Sequence, residues 1–199
     1  TYNAGGLGFT TPGPPDYVEN ADKEPPLHPN APISDVVSGM TAAAATMMAL
    51  LASDMDGEGR HVDISGMEAM AATTVWDMGA YSHGQVIRGR VLDTMALAPN
   101  AVMRCKDGWI ALACPYEHFW QRLVNVMGNP DWASLEVFED RYHRAIYWDA
   151  LKPLLEEWTT QYTGEELLTM GQESGLPVFP AYSVGDMIQS QQMRDRKFF

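Results

Sequence analysis

The stretch Pro32-Ile33-Ser34-Asp35, followed by an Ala/Met/Leu-rich run to Leu51, places a carboxylate at the start of a helix. Asp is among the residues favoured as a helix cap, because its oxygens accept from the unpaired N–H groups of the first turn. The same location suits chemistry. The positive end of a helix dipole favours a charged carboxylate, and an ionised carboxylate can attack an activated acyl group. Neighbouring N–H groups can then stabilise a developing oxyanion. Residue spacing alone leaves cap and nucleophile both open.

Other familiar constellations are missing. The five histidines, His28, His61, His83, His118 and His143, never occur as HxxxH or HExxH, so the pattern implies no metal. Gly6-Leu7-Gly8-Phe9-Thr10-Thr11 carries two glycines of a dinucleotide fingerprint but not the third, and no strand precedes it. Ser38, in Val-Ser-Gly-Met, lacks the first glycine of a nucleophile elbow. Met40, Met47, Met48 and Met55 recur at helical spacing, which reads as core packing rather than as a flexible acyl-binding surface.

The elements that must position Asp35 begin with a long loop. Seven of the thirteen prolines fall between Pro12 and Pro32, which forbids a continuous helix or central strand there. The helix that follows is expected to begin at Asp35, give or take one residue, with Ser34 or Asp35 as its cap, and to be a buried core helix rather than a membrane span. Asp56-Gly57-Glu58-Gly59 reads as a turn. Arg60 to Ser65, with Val62 and Ile64 on one face, predicts a short strand, and a second helix is expected from Gly66 to about Tyr81. Helix, turn, strand and helix in succession are the grammar of an α/β layer fold, and one such unit needs further strands to complete a parallel sheet.

After a weakly periodic linker the character changes. Val102 to Cys105 and Trp109 to Ala113, joined by Lys106-Asp107-Gly108, predict a hairpin, and helices are expected at about 117–127, 148–161 and 164–173. Trp109, Trp120, Trp132, Trp148 and Trp158 all lie here and read as core. The expected organisation is part of a large α/β domain over residues 1–86, a linker over 87–100 and a small α+β domain over 101–199.

At 199 residues, with 46% hydrophobic and 20% charged, the chain has the composition of a globular protein. A net charge of −13 argues against nucleic-acid or anionic-membrane partners, which demand clustered cations. Cys105 and Cys114 form no CxxC pair, consistent with a reducing, cytoplasmic setting. Thr1-Tyr2 opens the chain with neither a basic nor an apolar leader pattern, so no signal peptide is visible and the start is expected to be processed or missing.

Pro32 to Met40, then Ala49-Leu50, Gly57 to Arg60, Val62-Asp63-Ile64-Ser65 and Glu68-Ala69, resemble the class III coenzyme A transferases, the family of formyl-CoA transferase and carnitine CoA-transferase. Gly5-Gly6, Thr11-Pro12-Gly13 and Cys105 to Ile110 fit the same family in the same order. The resemblance implies that Asp35 is catalytic, attacking an acyl-CoA thioester to give an aspartyl anhydride and then an aspartyl-CoA thioester. Gly5, Gly6, Ser38 and Gly39 are the substrate-proximal candidates. A coenzyme A thioester and a small carboxylic acid are the implied substrates, with no metal. In the related α-methylacyl-CoA racemases the matching Asp instead exchanges protons with a histidine that would fall before Thr1.

The family's fold implies a Rossmann-like parallel-sheet domain followed by a small α+β domain, arranged as an interlocked homodimer. Its members are about twice this length, so the chain is expected to be an internal fragment, inactive alone. The charges agree: before Arg88 the cations are Lys23 and Arg60, too few for the phosphates of coenzyme A, whose site is expected elsewhere. Arg88, Arg90, Arg104 and Lys106 read mainly as a solvated linker and hairpin edge. A glycine-rich lid, found in formyl-CoA transferases after the second helix, is replaced here by Arg90 to Ala98 without a glycine run, which favours the carnitine-type or racemase-type branch. The rival from another class is a non-catalytic interaction module whose helix cap imitates a nucleophile.

Overall fold

The computed structural model describes residues 1–10, 25, 29–87 and 98–199. Most of the proline-rich loop, and most of the linker with Arg88 and Arg90, therefore lie outside the described residues. Backbone contacts divide the chain into two compact units, Thr1–Thr94 and Met95–Phe199.

In the first unit a short helix α1 (Leu7–Thr10) precedes the long helix α2 (Ile33–Asp56). Helix α2 begins two residues before Asp35, as soon as the prolines end, with Pro32 at its N-cap and no side-chain cap. It stops at Gly57, whose left-handed φ of 77° lets its N–H turn back to Ser53 O at 2.7 Å. Beyond that stop, Asp56 accepts from the Glu58 N–H at 3.0 Å and pairs with Arg60. Ser65 then caps α3 (Gly66–Ala71), and a 3-10 turn (Ala72–Thr74) leads into α4 (Val75–Gly84), so the expected second helix is present with a tightened turn inside it.

Two expectations for this unit are corrected. Residues 57–65 form no strand, although Val62 and Ile64 alternate as predicted. A strand needs a ladder partner, and no strand occurs in this unit among the described residues. The expected burial of α2 also fails: none of its residues is buried, and Met40, Met47, Met48 and Met55 are all exposed, Met55 by 81%. The reason is one of length. At 1.5 Å per residue α2 runs about 36 Å and α3, which packs on it, about 9 Å, so its neighbour covers only a fraction of it.

The second unit is a three-stranded antiparallel sheet packed with helices. Strands β1 (Asn100–Arg104) and β2 (Trp109–Ala113) pair from Asn100↔Ala113 to Arg104↔Trp109, and β3 (Val178–Pro180) joins β2 on its other side. The predicted hairpin is thus present, but its loop spans Cys105 to Gly108, and Gly108 is not among the positive-φ glycines, so the tight Asp-Gly turn does not form. The loop is held from outside instead. Asp107 accepts from the Gly164 N–H at 2.9 Å and from the Cys105 thiol at 3.3 Å, which holds its carboxyl below the usual range. Lys106 N–H donates to Tyr162 O at 2.9 Å.

Helices α5 (Glu117–Val126), α6 (Arg141–Ile146), α7 (Trp148–Thr159) and α8 (Gly164–Ser174) follow β2, and two short helices, α9 (Val184–Gln189) and α10 (Gln191–Asp195), follow β3. Their apolar faces supply Trp120, Leu123, Leu151, Leu155 and Leu167 to a core shared with Met103, Ile110 and Leu112 of the sheet. Of the five tryptophans expected in that core, Trp120 and Trp148 are buried and Trp109, Trp132 and Trp158 half-buried. At its centre Arg144 is fully buried. Its guanidinium donates to the carbonyls of Ala98, Phe138 and Glu139 and to Glu117, and lies 4.6 Å from the centre of the Trp120 ring. The architecture is mixed helix and antiparallel sheet.

Candidate active site

Asp35 is the third residue of α2 and is exposed. It lines a hollow of about 460 Å³ together with Tyr2, Pro29, Asn30, Ala31, Pro32, Ile33 and Ser34. That volume lies within the range of small-molecule sites. Seven of these residues are consecutive, the last turn of loop and first turn of helix, and their side chains are compact. Tyr2 comes from the turn at the start of the unit and is only 8% exposed.

The backbone at the start of α2 is already engaged. Ile33 N–H donates to Ala31 O at 2.8 Å, and the N–H groups of Asp35 and Val36 donate to Pro32 O at 3.1 and 3.0 Å. The Ile33 and Asp35 bonds take the place of the side-chain cap expected of Ser34 or Asp35, and the Val36 bond is the helix's own first i→i−4 bond. They also leave those three N–H groups committed, so oxyanion stabilisation by them, open from the sequence, finds no support.

The turn that carries Tyr2 is fixed from behind. Gly5 N–H donates to Thr1 O at 2.8 Å, Gly6 N–H to Asn3 O at 3.1 Å, and buried Thr74 donates to Gly5 O at 3.4 Å. Gly5 lies so close to α3 that a Cβ on it would fall 2.4 Å from Met70 Cβ, and Gly6 has a φ of 91° that other residues rarely adopt. Ser38 lies under the start of α3, where a Cβ on Gly66 would be 3.1 Å from its Oγ, while Gly39 is exposed with open space around it. Gly5, Gly6, Ser38 and Gly39 are thus placed near the hollow in sequence without lining it. Sequence reasoning missed Tyr2 and Asn30; a lone aromatic near the chain start and one Asn among prolines carry no local signal.

The cations give no phosphate cradle among the described residues of the first unit: Arg60 is paired with Asp56 at the far end of α2. In the second unit Arg104 stacks on Trp109, 4.7 Å from the ring centre, which fits the hairpin-edge reading.

A model of CoA-transferase family III matches residues 10–199. The chain belongs to that family. Among family III relatives, it is 27% identical over 186 residues to the succinyl-CoA–L-malate CoA-transferase alpha subunit of Chloroflexus aurantiacus, covering 92% of this chain and 44% of that one. It is 25% identical over 155 residues to the acetyl-CoA:oxalate CoA-transferase of Acetobacter aceti, covering 77% of this chain and 40% of that one. Its fold resembles a CAIB/BAIF family protein from Brucella suis, with a TM-score of 0.73 at 24% identity over 97% of this chain and 50% of that one. The chain therefore spans under half the length of the curated relatives it matches.

Proposed function

We propose that the complete protein transfers coenzyme A between an acyl-CoA thioester and a carboxylic acid, with Asp35 as the covalent nucleophile. The observation that carries this is the exposed Asp35 carboxylate lining a ligand-sized hollow at the start of α2 in a family III chain. The Asp35 carboxylate attacks the thioester carbonyl, the C–S bond breaks, and the coenzyme A thiolate leaves an acyl-aspartyl anhydride. The thiolate then attacks the aspartyl carbonyl and expels the first carboxylate, giving an aspartyl-CoA thioester. An incoming carboxylate reverses the sequence and leaves as the new acyl-CoA, with the Asp35 carboxylate restored.

In this reading the first unit is one portion of a Rossmann-like α/β layer. Support comes from residues 57–65, which alternate like a strand between α2 and α3 yet lack a partner, and from the uncovered apolar surface of α2. The coenzyme A phosphates are held outside the described residues, and the protein works as a homodimer.

The test is to incubate the full-length protein with acyl-CoA, add hydroxylamine, and map the adduct by mass spectrometry. A hydroxamate on the peptide containing Asp35 is expected. Asp35→Asn should lower turnover by about 10³-fold or more while shifting stability by less than about 1 kcal/mol, since only a charge in an exposed first turn is lost. Near-normal turnover by the Asn variant would refute the assignment. Solvent deuterium entering the substrate's α-position, with no adduct and no movement of coenzyme A, would make the same Asp a proton-transfer residue.

A further inference from the structure

The hollow beside Asp35 has one wall unlike the others. Among the described residues eight line it, and seven of them are a continuous run, Pro29 to Asp35, none of them aromatic. The eighth, Tyr2, carries the one aromatic side chain among these described lining residues, is nearly buried, and arrives from a separate turn. That turn has little room to retreat. Gly5 is pressed against Met70, Asn3 lies so close to Gly8 that a Cβ there would clash with its side chain, and Thr74 holds Gly5 O. A large, planar side chain on an immobile support is the form in which a pocket wall discriminates by size, because neither ring nor backbone can yield cheaply to a longer ligand.

We propose that Tyr2 is the specificity-determining residue of the Asp35 hollow, its ring setting the length of the acyl group that reaches the carboxylate. This rests on the reading of Asp35 as nucleophile and adds to it the element that selects the substrate. The ring bounds the space in which the acyl chain lies, so removing it lengthens that space and enlarging it shortens it. The hydroxyl takes no part in the discrimination.

The experiment measures, in the full-length protein, the rate of hydroxylamine-trapped adduct on Asp35 with acetyl-, butyryl- and hexanoyl-CoA. Tyr2→Ala should raise the hexanoyl-to-acetyl ratio about tenfold or more, the scale on which a methylene or two is discriminated in a pocket. Tyr2→Trp should lower the same ratio, and Tyr2→Phe should keep it within about twofold. The two directions keep the test open if one variant folds poorly. A ratio unchanged in both the Ala and the Trp variants, whatever happens to the absolute rates, would reduce Tyr2 to a structural residue and overturn the inference. A changed ratio in Tyr2→Phe would also overturn it, because the hydroxyl would then be the discriminating group. Absence of adduct from all three thioesters in the unmodified protein, or adduct formation surviving in Asp35→Asn, overturns the nucleophile reading itself and with it the inference.

Discussion

Replacing Arg144 with Met tests whether a buried cation, rather than the apolar core alone, organises the second unit. Arg144 is completely inaccessible, and its donors satisfy Ala98 O at 3.2 Å, Phe138 O at 3.0 Å, Glu139 O at 3.3 Å and Glu117 Oε1 at 2.6 Å. Met fills most of the stem volume, so cavity formation is a minor part of the change. The carbonyls of Ala98 and Phe138 lose a buried partner, at about 1–3 kcal/mol each. Contact with the Trp120 ring adds about 1–2 kcal/mol when desolvated. The Glu117 side chain is 55% exposed and rehydrates when its partner goes, so that ion pair contributes little. The expected loss is about 3–8 kcal/mol, large for one substitution. For a unit of this size each kcal/mol lowers the melting temperature by roughly 4–8 °C, so a fall of more than about 12 °C is expected. Five of the six tryptophans lie in this unit, so fluorescence-monitored urea unfolding reports on it directly. Arg144→Lys should recover little, since an ammonium cannot span acceptors arranged around a planar fork. A loss below about 1 kcal/mol at unchanged m-value would refute the argument and show that those carbonyls find water.

Two further outcomes are expected. Gly5→Ala should cost about 1–3 kcal/mol, because the new methyl meets Met70 Cβ and the Ala71 backbone rather than a flexible side-chain end, and calorimetry on the full-length protein measures this. Asp140 caps α6 by accepting from the N–H groups of His143 and Tyr142 and contacts the His143 ring, and the His143 backbone bond chiefly holds its carboxyl down to about 2. Since its folded pKa lies below the unfolded value, its stabilisation is complete above about pH 4 and disappears as pH falls through about 2. The melting-temperature difference between the native protein and Asp140→Ala should accordingly shrink over that window, and a difference constant down to pH 2 would refute the charged-cap account.

The parts legible in the sequence are those in which local pattern and tertiary role agree. The β1–β2 hairpin and the helices at 117–126, 148–159 and 164–174 appear where alternation and helical periodicity put them, because each buries its own apolar face within its own unit. Strand β3 was hidden because it has three residues and stands between prolines; Pro177 precedes it and Pro180 ends it, positions tolerated only at an edge. The expected strand at 60–65 has the right alternation but a ladder is a property of two segments, and only one is present among the described residues of the first unit. Arg144 gave no signal at all, since its role exists only once Ala98, Phe138 and Glu117 are brought around it. At the candidate site Asp35 was legible from the end of the prolines and the start of the apolar run. Tyr2 was not, because its place at the hollow depends on a turn held by Met70 and Thr74 from about 70 residues away.

The start of α2 is closed without the Asp35 side chain, which bears directly on the role proposed for that residue. A helix N-terminus leaves donors that must be met by something, and a carboxylate in the first turn is the usual candidate. Here Pro32, which has no N–H to satisfy and no side-chain acceptor, occupies the cap, and the carbonyls of Ala31 and Pro32 take the N–H groups of Ile33, Asp35 and Val36. A carboxylate needed as a cap would have to abandon its hydrogen bonds to become a nucleophile, and each turnover would fray the helix that aims it. With backbone carbonyls taking those N–H groups, Asp35 sits on a 24-residue helix and lines the hollow, and the covalent chemistry proposed for it would leave those bonds in place. On the proposed reading, the order Pro-Ile-Ser-Asp lets the Asp35 carboxylate act without also having to serve as the helix cap.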